Sequence, residues 1–248
     1  MTVEFRMDPV DGALVARLGG ALTLADVADV RTNLLKCLAE QPATLLVDLG
    51  DLWVVDPLAL TVFTAAVRQA GRWPGTPVLF CSPTPSTARL LTAPAYRRLT
   101  VLASLDAGRA QAATGTHGLP TISEELLPVT GSARRGRDVT TDACLRWDLP
   151  HLIAPASLVA SELIGNVVDH VHTMMTLRVS RWERYLLIAV RDGSAAEPST
   201  EVTLPPPYMV GGRGLYLVDS IAHSWGCLPA RDGKVVWASL AVNGSAGP

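Results

Sequence analysis

The stretch Ser161-Glu162-Leu163-Ile164-Gly165-Asn166-Val167-Val168-Asp169-His170 sets a carboxylate, a carboxamide and an imidazole at four-residue intervals in a largely apolar helical run. Residues four apart stack on one face of a helix, so Glu162 and Asn166 can address a common site. The run from about Ala154 to His172 carries Leu158, Val159, Leu163, Ile164, Val167 and Val171 on its buried side, which predicts a long helix with an apolar stripe. Further on, Gly211, Gly212 and Gly214 open another helical segment, and bare N–H groups at such a start receive phosphate. Together the two features suggest a nucleotide with its metal. Singly they are bland: a lone Glu162 reads as a solvated helix residue, and a lone glycine cluster marks only a turn. His170 reads as structural, held by a side-chain hydrogen bond at the helix end.

The flanking pattern gives this helix its setting. A strand at Ser123 to Val129 and a helix from about Ser132 to Trp147, closed by Pro150, precede it. Met175 to Arg181 and Tyr185 to Arg191 follow as a hairpin. A loop containing Pro198, Pro205, Pro206 and Pro207 leads to the glycine cluster, a helix through Ala222 and a last strand at Lys234 to Val242. Earlier in the chain, strand-like and helix-like segments alternate. Ala13 to Leu18, Thr44 to Leu49, Val78 to Cys81 and Val101 to Leu102 read as strands. Thr23 to Glu40, Pro57 to Gln69 and Ser86 to Leu91 read as helices, and the alternation implies a sheet with helices packed on it. Ala107 to Gly118, rich in Ala, Gly and Thr without an apolar period, reads as an exposed linker. The expected division is 1–108, a linker at 109–120, and 121–248, both halves being α/β (α+β).

At 248 residues and 48% hydrophobic, the chain is long enough for two cores. A net charge of −2 argues against direct nucleic-acid binding, and the short basic run Arg134, Arg135 and Arg137 reads as a solvated helix face. Cys37, Cys81, Cys144 and Cys227 lie far apart without metal-ligand spacing, so they read as reduced, packed thiols. Neither a secretory leader nor a membrane span is expected, because Asp48, Asp51 and Asp56 interrupt the apolar stretch from Leu45 to Val67. A cytoplasmic location is the expectation.

The residues Glu162, Leu163, Asn166 and His170 resemble the N-box of the GHKL ATPase superfamily, and Asp192 with Gly193 resembles its adenine-binding box. Gly212, Arg213, Gly214, Leu215 and Val218 resemble the box at the far end of its ATP lid, with Trp225, Gly226 and Val236 to Ala238 adding to the likeness. The resemblance covers roughly Ser123 to Leu240 and is closest to anti-sigma-factor serine kinases. It implies a GHKL-type α/β sandwich that binds ATP with Mg²⁺. Asn166 would be the Mg²⁺ ligand, Glu162 the catalytic residue acting on a substrate hydroxyl, and Asp192 with Gly193 the adenine contact. Gly212, Arg213 and Gly214 would lie at the phosphates. The adenine box departs from the family pattern, since Ser194, Ala195 and Ala196 stand where a further glycine is usual.

Residues 1 to about 108 resemble a STAS domain, the fold of anti-sigma-factor antagonists, through the strand Leu45 to Leu49 followed by Asp51, Leu52, Val55, Asp56 and Leu60. The family places two small hydroxyl residues and a glycine after the aspartate, whereas Pro57, Leu58 and Ala59 follow Asp56 here. No acceptor hydroxyl is present at that place. Asp56 and Pro57 instead read as a helix start with an N-cap acceptor, and Thr61 and Thr64 as packed or back-bonded residues. The two resemblances together imply a bacterial sigma-factor regulator acting by partner switching, with a possible serine/threonine kinase activity of the anti-sigma type. Its partners would be a sigma factor or an anti-sigma-factor antagonist, and dimerisation is common among the resembled kinases. The alternative is a non-catalytic interaction protein with a degenerate nucleotide site.

Overall fold

A computed structural model of the chain describes residues 3–10, 12–115, 119–196, 198 and 214–243. The chain divides into two units, Met1–Gly118 and Leu119–Pro248.

In the first unit, β1 (Glu4–Val10), β2 (Ala13–Leu22), β3 (Thr44–Val54), β4 (Val78–Cys81) and β5 (Thr100–Leu102) form one sheet in sequence order. The β1–β2 pair is an antiparallel hairpin, and β2 to β5 run parallel. Parallel strands are covered on both faces, which is why the central strands are continuous apolar runs rather than alternating ones. The connecting helices are α1 (Val27–Ala39), α2 (Thr61–Arg72), α3 (Pro85–Leu91) and α4 (Leu105–Gly115). Phe63 of α2 packs on Phe80 of β4 with ring centroids 5.0 Å apart. Leu79 and Cys81 point the other way, and with Val15 and Leu46 they receive Leu105 and Ala112 of α4.

The segment expected as a linker therefore contains most of a helix. Its small residues are what let α4 lie close: a Cβ at Gly108 would come 2.5 Å from Cys81 Sγ. Strand β1 was not anticipated, since its half-exposed residues lack a clear apolar period. The expected helix from Pro57 begins instead as a 3-10 turn, Pro57–Leu60, ahead of α2.

In the second unit, β6 (Thr121–Leu126), β7 (Met175–Arg181), β8 (Tyr185–Asp192), β9 (Ser224–Pro229) and β10 (Lys234–Ala241) form an antiparallel sheet in the order β6-β7-β8-β10-β9. Helices α5 (Ser132–Arg146), α6 (Ile153–Asn166) and α7 (Gly214–Ile221) accompany it. Alternate strand residues Leu177, Val179, Ile188, Val190, Val236 and Ala238 meet Val159, Leu163 and Ile164 of α6 in one core. The helical run Pro150–Val171 is long and apolar enough to cross a membrane by length and composition. Its apolar side chains instead enter this core from the centre of the helical layer, where Ala156, Val159, Ala160, Leu163, Ile164 and Val167 are all buried. Both units are thus α/β arrangements, as the sequence implied. Strand β9 went unread, because it consists mostly of half-buried residues in a short turn-flanked run.

Candidate functional site

Helix α6 turns its apolar stripe to the core and leaves Glu162 and Asn166 half-buried on its shoulder. Opposite them lies the first residue of α7. A Cβ at Gly214 would stand 2.6 Å from Glu162 Oε2 and 3.6 Å from Asn166 Oδ1, so only a glycine admits this approach without moving the carboxylate. The structure therefore brings Glu162, Asn166 and Gly214 together. Gly212 and Arg213, with Gly211, lie outside the described residues. Partial burial raises the Glu162 carboxyl above its ordinary value. Beside it, Arg137 of α5 donates to Ser161 Oγ at 3.1 Å, and Arg135 pairs with Glu124 at 2.8 Å. Two members of the basic run are thus tied to neighbours on the unit's own surface.

After Asn166 the helix widens into a π-turn, Val167–Val171, closed by His172 in the left-handed conformation. His170 is exposed there and makes no side-chain hydrogen bond among the described residues, so the structural bond expected of it is absent. The wide turn delivers Thr173 to the end of β8, where Gly193 N donates to Thr173 Oγ1 at 3.0 Å. Gly193 sits tightly against it: a Cβ there would come 3.3 Å from Thr173 Cγ2.

Asp192 closes β8 on the helix-facing side of the sheet and is only 2% exposed. Its direct cross-strand partner is Lys234, the first residue of β10, itself 5% exposed. Lys234 Nζ donates to Asp192 Oδ1 at 2.9 Å and to Ser194 O at 3.2 Å, while Ser194 N donates to the same Oδ1 at 2.8 Å. A carboxylate or an ammonium is almost never buried this completely unless paired. Adjacent is a cleft of about 320 Å³ lined by Thr173, Met175, Asp192 and Gly193, with the Arg191–Asp232 ion pair at its edge. The Arg191 hydrogen bond holds the Asp232 carboxyl below its ordinary value.

The residues fit a nucleotide better at one end than at the other. Glu162, Asn166 and the glycine start of α7 form a corner suited to a phosphate and an oxygen-seeking cation. The base end fits less well: Asp192 Oδ1 already accepts from an ammonium and an amide, which leaves only Oδ2 to an adenine amine, beside a buried cation. Sequence reasoning missed Lys234 and Thr173. The available signal was Gly233-Lys234 at the head of an apolar strand, where a lysine entering a buried run demands a counter-charge.

In the first unit, Asp56 does not cap its own helix. Its Oδ2 accepts from Leu24 N at 3.1 Å, tying the 3-10 turn Leu24–Asp26 to the turn Pro57–Leu60. The backbone N–H groups of Val55 and Asp56 both donate to Leu22 O, at 2.9 and 3.3 Å. Held this way, the two turns expose Leu24 at 55%, Val55 at 56% and Leu58 at 68%.

The STAS domain family matches residues 4–101. The N-terminal unit carries a STAS domain. The match does not extend into the second unit, and no curated protein matches the chain. Among solved structures, an anti-sigma factor antagonist from Mycobacterium paratuberculosis is 17% identical, with 45% of this chain and 95% of that one covered at a TM-score of 0.40. A RsbS variant from Moorella thermoacetica is 22% identical, with 44% and 95% covered and a TM-score of 0.39. The phosphorylated Bacillus cell fate determinant SpoIIAA is 14% identical, with 44% and 98% covered and a TM-score of 0.36.

Within the STAS domain, Thr61 Oγ1 is back-bonded to Leu58 O at 2.7 Å, and Pro57, Leu58 and Ala59 offer no hydroxyl. None of the four cysteines is in a disulfide, three of them are buried, and burial pushes the Cys81 and Cys144 thiols up to about 11.

Proposed function

We propose that the chain is a sigma-factor regulator that acts by partner switching in the cytoplasm, with protein binding rather than phosphoryl transfer as its own step. The buried Lys234–Asp192 pair carries this reading, because it sets an internal cation where the resembled kinases take the adenine amine. Two features of the STAS domain support it. The turn after Asp56 has no hydroxyl to phosphorylate, and the exposed Leu24, Val55 and Leu58 offer an apolar face for a partner protein. The partner chemistry is that of an anti-sigma-type kinase at the STAS domain, and of a sigma factor or a separate antagonist at the C-terminal unit.

A second reading, a Mg·ATP-dependent serine/threonine kinase, is favoured by the approach of Gly214 to Glu162 and Asn166. Phosphate and cation would meet Asn166, and the raised Glu162 carboxyl would address a substrate hydroxyl on another protein.

Calorimetry of the full chain with Mg·ATP separates the two. No binding at millimolar ATP that Asn166→Ala weakens, together with no transfer of labelled phosphate to antagonist proteins, is the expected result. Binding that Asn166→Ala abolishes, with transfer that Glu162→Gln abolishes, would establish the kinase instead.

A further inference from the structure

The STAS domain carries a cationic pocket that neither its core nor the Asp56 turn accounts for. Arg31 of α1 and Arg68, Gln69 and Arg72 of α2 line a cavity of about 260 Å³ where the two helices pack together. Arg68 and Arg72, one turn apart, project from the same face of α2. Ala65 and Ala66 line the same cavity, and their short side chains leave it room. None of the three arginines has an ion-pair partner among the described residues. Asp29, the nearest acid along α1, stands two positions from Arg31 and so faces elsewhere.

Solvation of a basic helix face does not explain the fourth member. Gln69 Nε2 is buried and has no hydrogen-bond acceptor among the described residues. An amide N–H withdrawn from water without a partner destabilises the fold. Arg31, Arg68 and Arg72 are solvent-exposed but line one pocket, so their like charges repel one another without a counter-ion. Arg72, in the last turn of α2, gains from the negative end of the helix dipole, but Arg31 and Arg68 lie away from a C-terminus. One occupant offsets these costs together: an oxyanion that accepts from the guanidinium forks and, once the Gln69 side chain turns into the pocket, from its amide.

We propose that this α1–α2 pocket is a binding site for a phosphate-class anion. A single carboxylate would leave two of the three charges uncompensated. A phosphate monoester brings about −1.5 to −2 charges and three strong acceptor oxygens, and guanidinium groups match it in bidentate geometry. The phosphate could be free or carried on a phosphorylated partner side chain; the recognition chemistry is the same. The site is independent of the C-terminal nucleotide question, because all its residues belong to the STAS domain.

The test is calorimetry on the full chain in chloride buffer at constant ionic strength, with inorganic phosphate, a phosphoserine hexapeptide and the same peptide unphosphorylated. Phosphate or the phosphopeptide should bind and raise the melting temperature, and the unphosphorylated peptide should not. The Arg31→Gln/Arg68→Gln variant should weaken binding about tenfold or more. Gln69→Leu, which removes the unpaired amide and should stay folded, should weaken it severalfold. Equal binding of both phosphate forms identifies a free-phosphate ligand, and preference for the phosphopeptide identifies a phosphorylated partner. Absence of binding by either form to the wild-type chain, or unchanged affinity in both variants, overturns the assignment.

Discussion

Replacing Lys234 by Met tests whether Asp192 is held by an internal counter-ion. The two charges are 2.9 Å apart, and at an effective dielectric constant of about 20 their attraction is roughly 6 kcal/mol. Desolvation of both groups offsets most of that, so the pair as a whole contributes little net stability. Removing one partner is different, since the remaining carboxylate keeps its desolvation cost and, among the described residues, retains only the Ser194 N–H. The expected loss for Lys234→Met is therefore about 3 kcal/mol. With a urea slope of about 2 kcal/mol per molar, the unfolding midpoint of the C-terminal unit should fall by roughly 1.5 M. The double replacement Asp192→Leu/Lys234→Met removes both charges and should recover most of the loss. Urea titration of the full chain, followed by tryptophan fluorescence, reads both values. A midpoint shift for Lys234→Met below about 0.3 M, or a double variant no more stable than the single one, would refute the buried-pair reasoning.

Two further outcomes are expected. Because burial raises the Glu162 carboxyl, the folded chain binds that proton more tightly than the unfolded chain. Stability contributed at this site is then lost as pH rises from the ordinary carboxylate value through the raised one. Glu162→Gln should match wild type under acidic conditions and exceed it at pH 7; a difference that does not vary with pH in urea titrations counts against this. Gly136→Ala and Gly165→Ala should have opposite signs. A Cβ at Gly136 overlaps Ile164 Cδ1 and outweighs the helix-propensity gain by about 1 kcal/mol, whereas open space at Gly165 leaves a gain of about 0.5–1 kcal/mol. Thermal unfolding of the two variants decides it, and a stabilised Gly136→Ala would show that α5 and α6 pack more loosely than described.

Much of the architecture was legible because it rests on local periodicity. The apolar stripe of α6, the hairpin of β7 and β8 and the buried strands β3 and β4 each declare themselves within a few residues. Helix α4 did not, because Ala and Gly at its contact face carry no strong apolar signal, although they are what permits close packing on β4. The cap expected at Asp56 failed for a related reason. A carboxylate before a proline can serve its own helix, but here the Leu24 amide, 32 positions away in sequence, takes the bond.

The candidate site divides along the same line. Sequence alone determined that Glu162 and Asn166 share a face, since helical geometry follows from spacing. It also determined that no hydroxyl follows Asp56. Only the folded chain decided what Asp192 does, because its partner Lys234 stands 42 positions away and is brought opposite by the β8–β10 register. Likewise only packing set Arg31 of α1 beside Arg68 and Arg72 of α2. Charge and hydrogen-bonding capacity are written residue by residue; whether each is paired depends on which strands and helices meet in space.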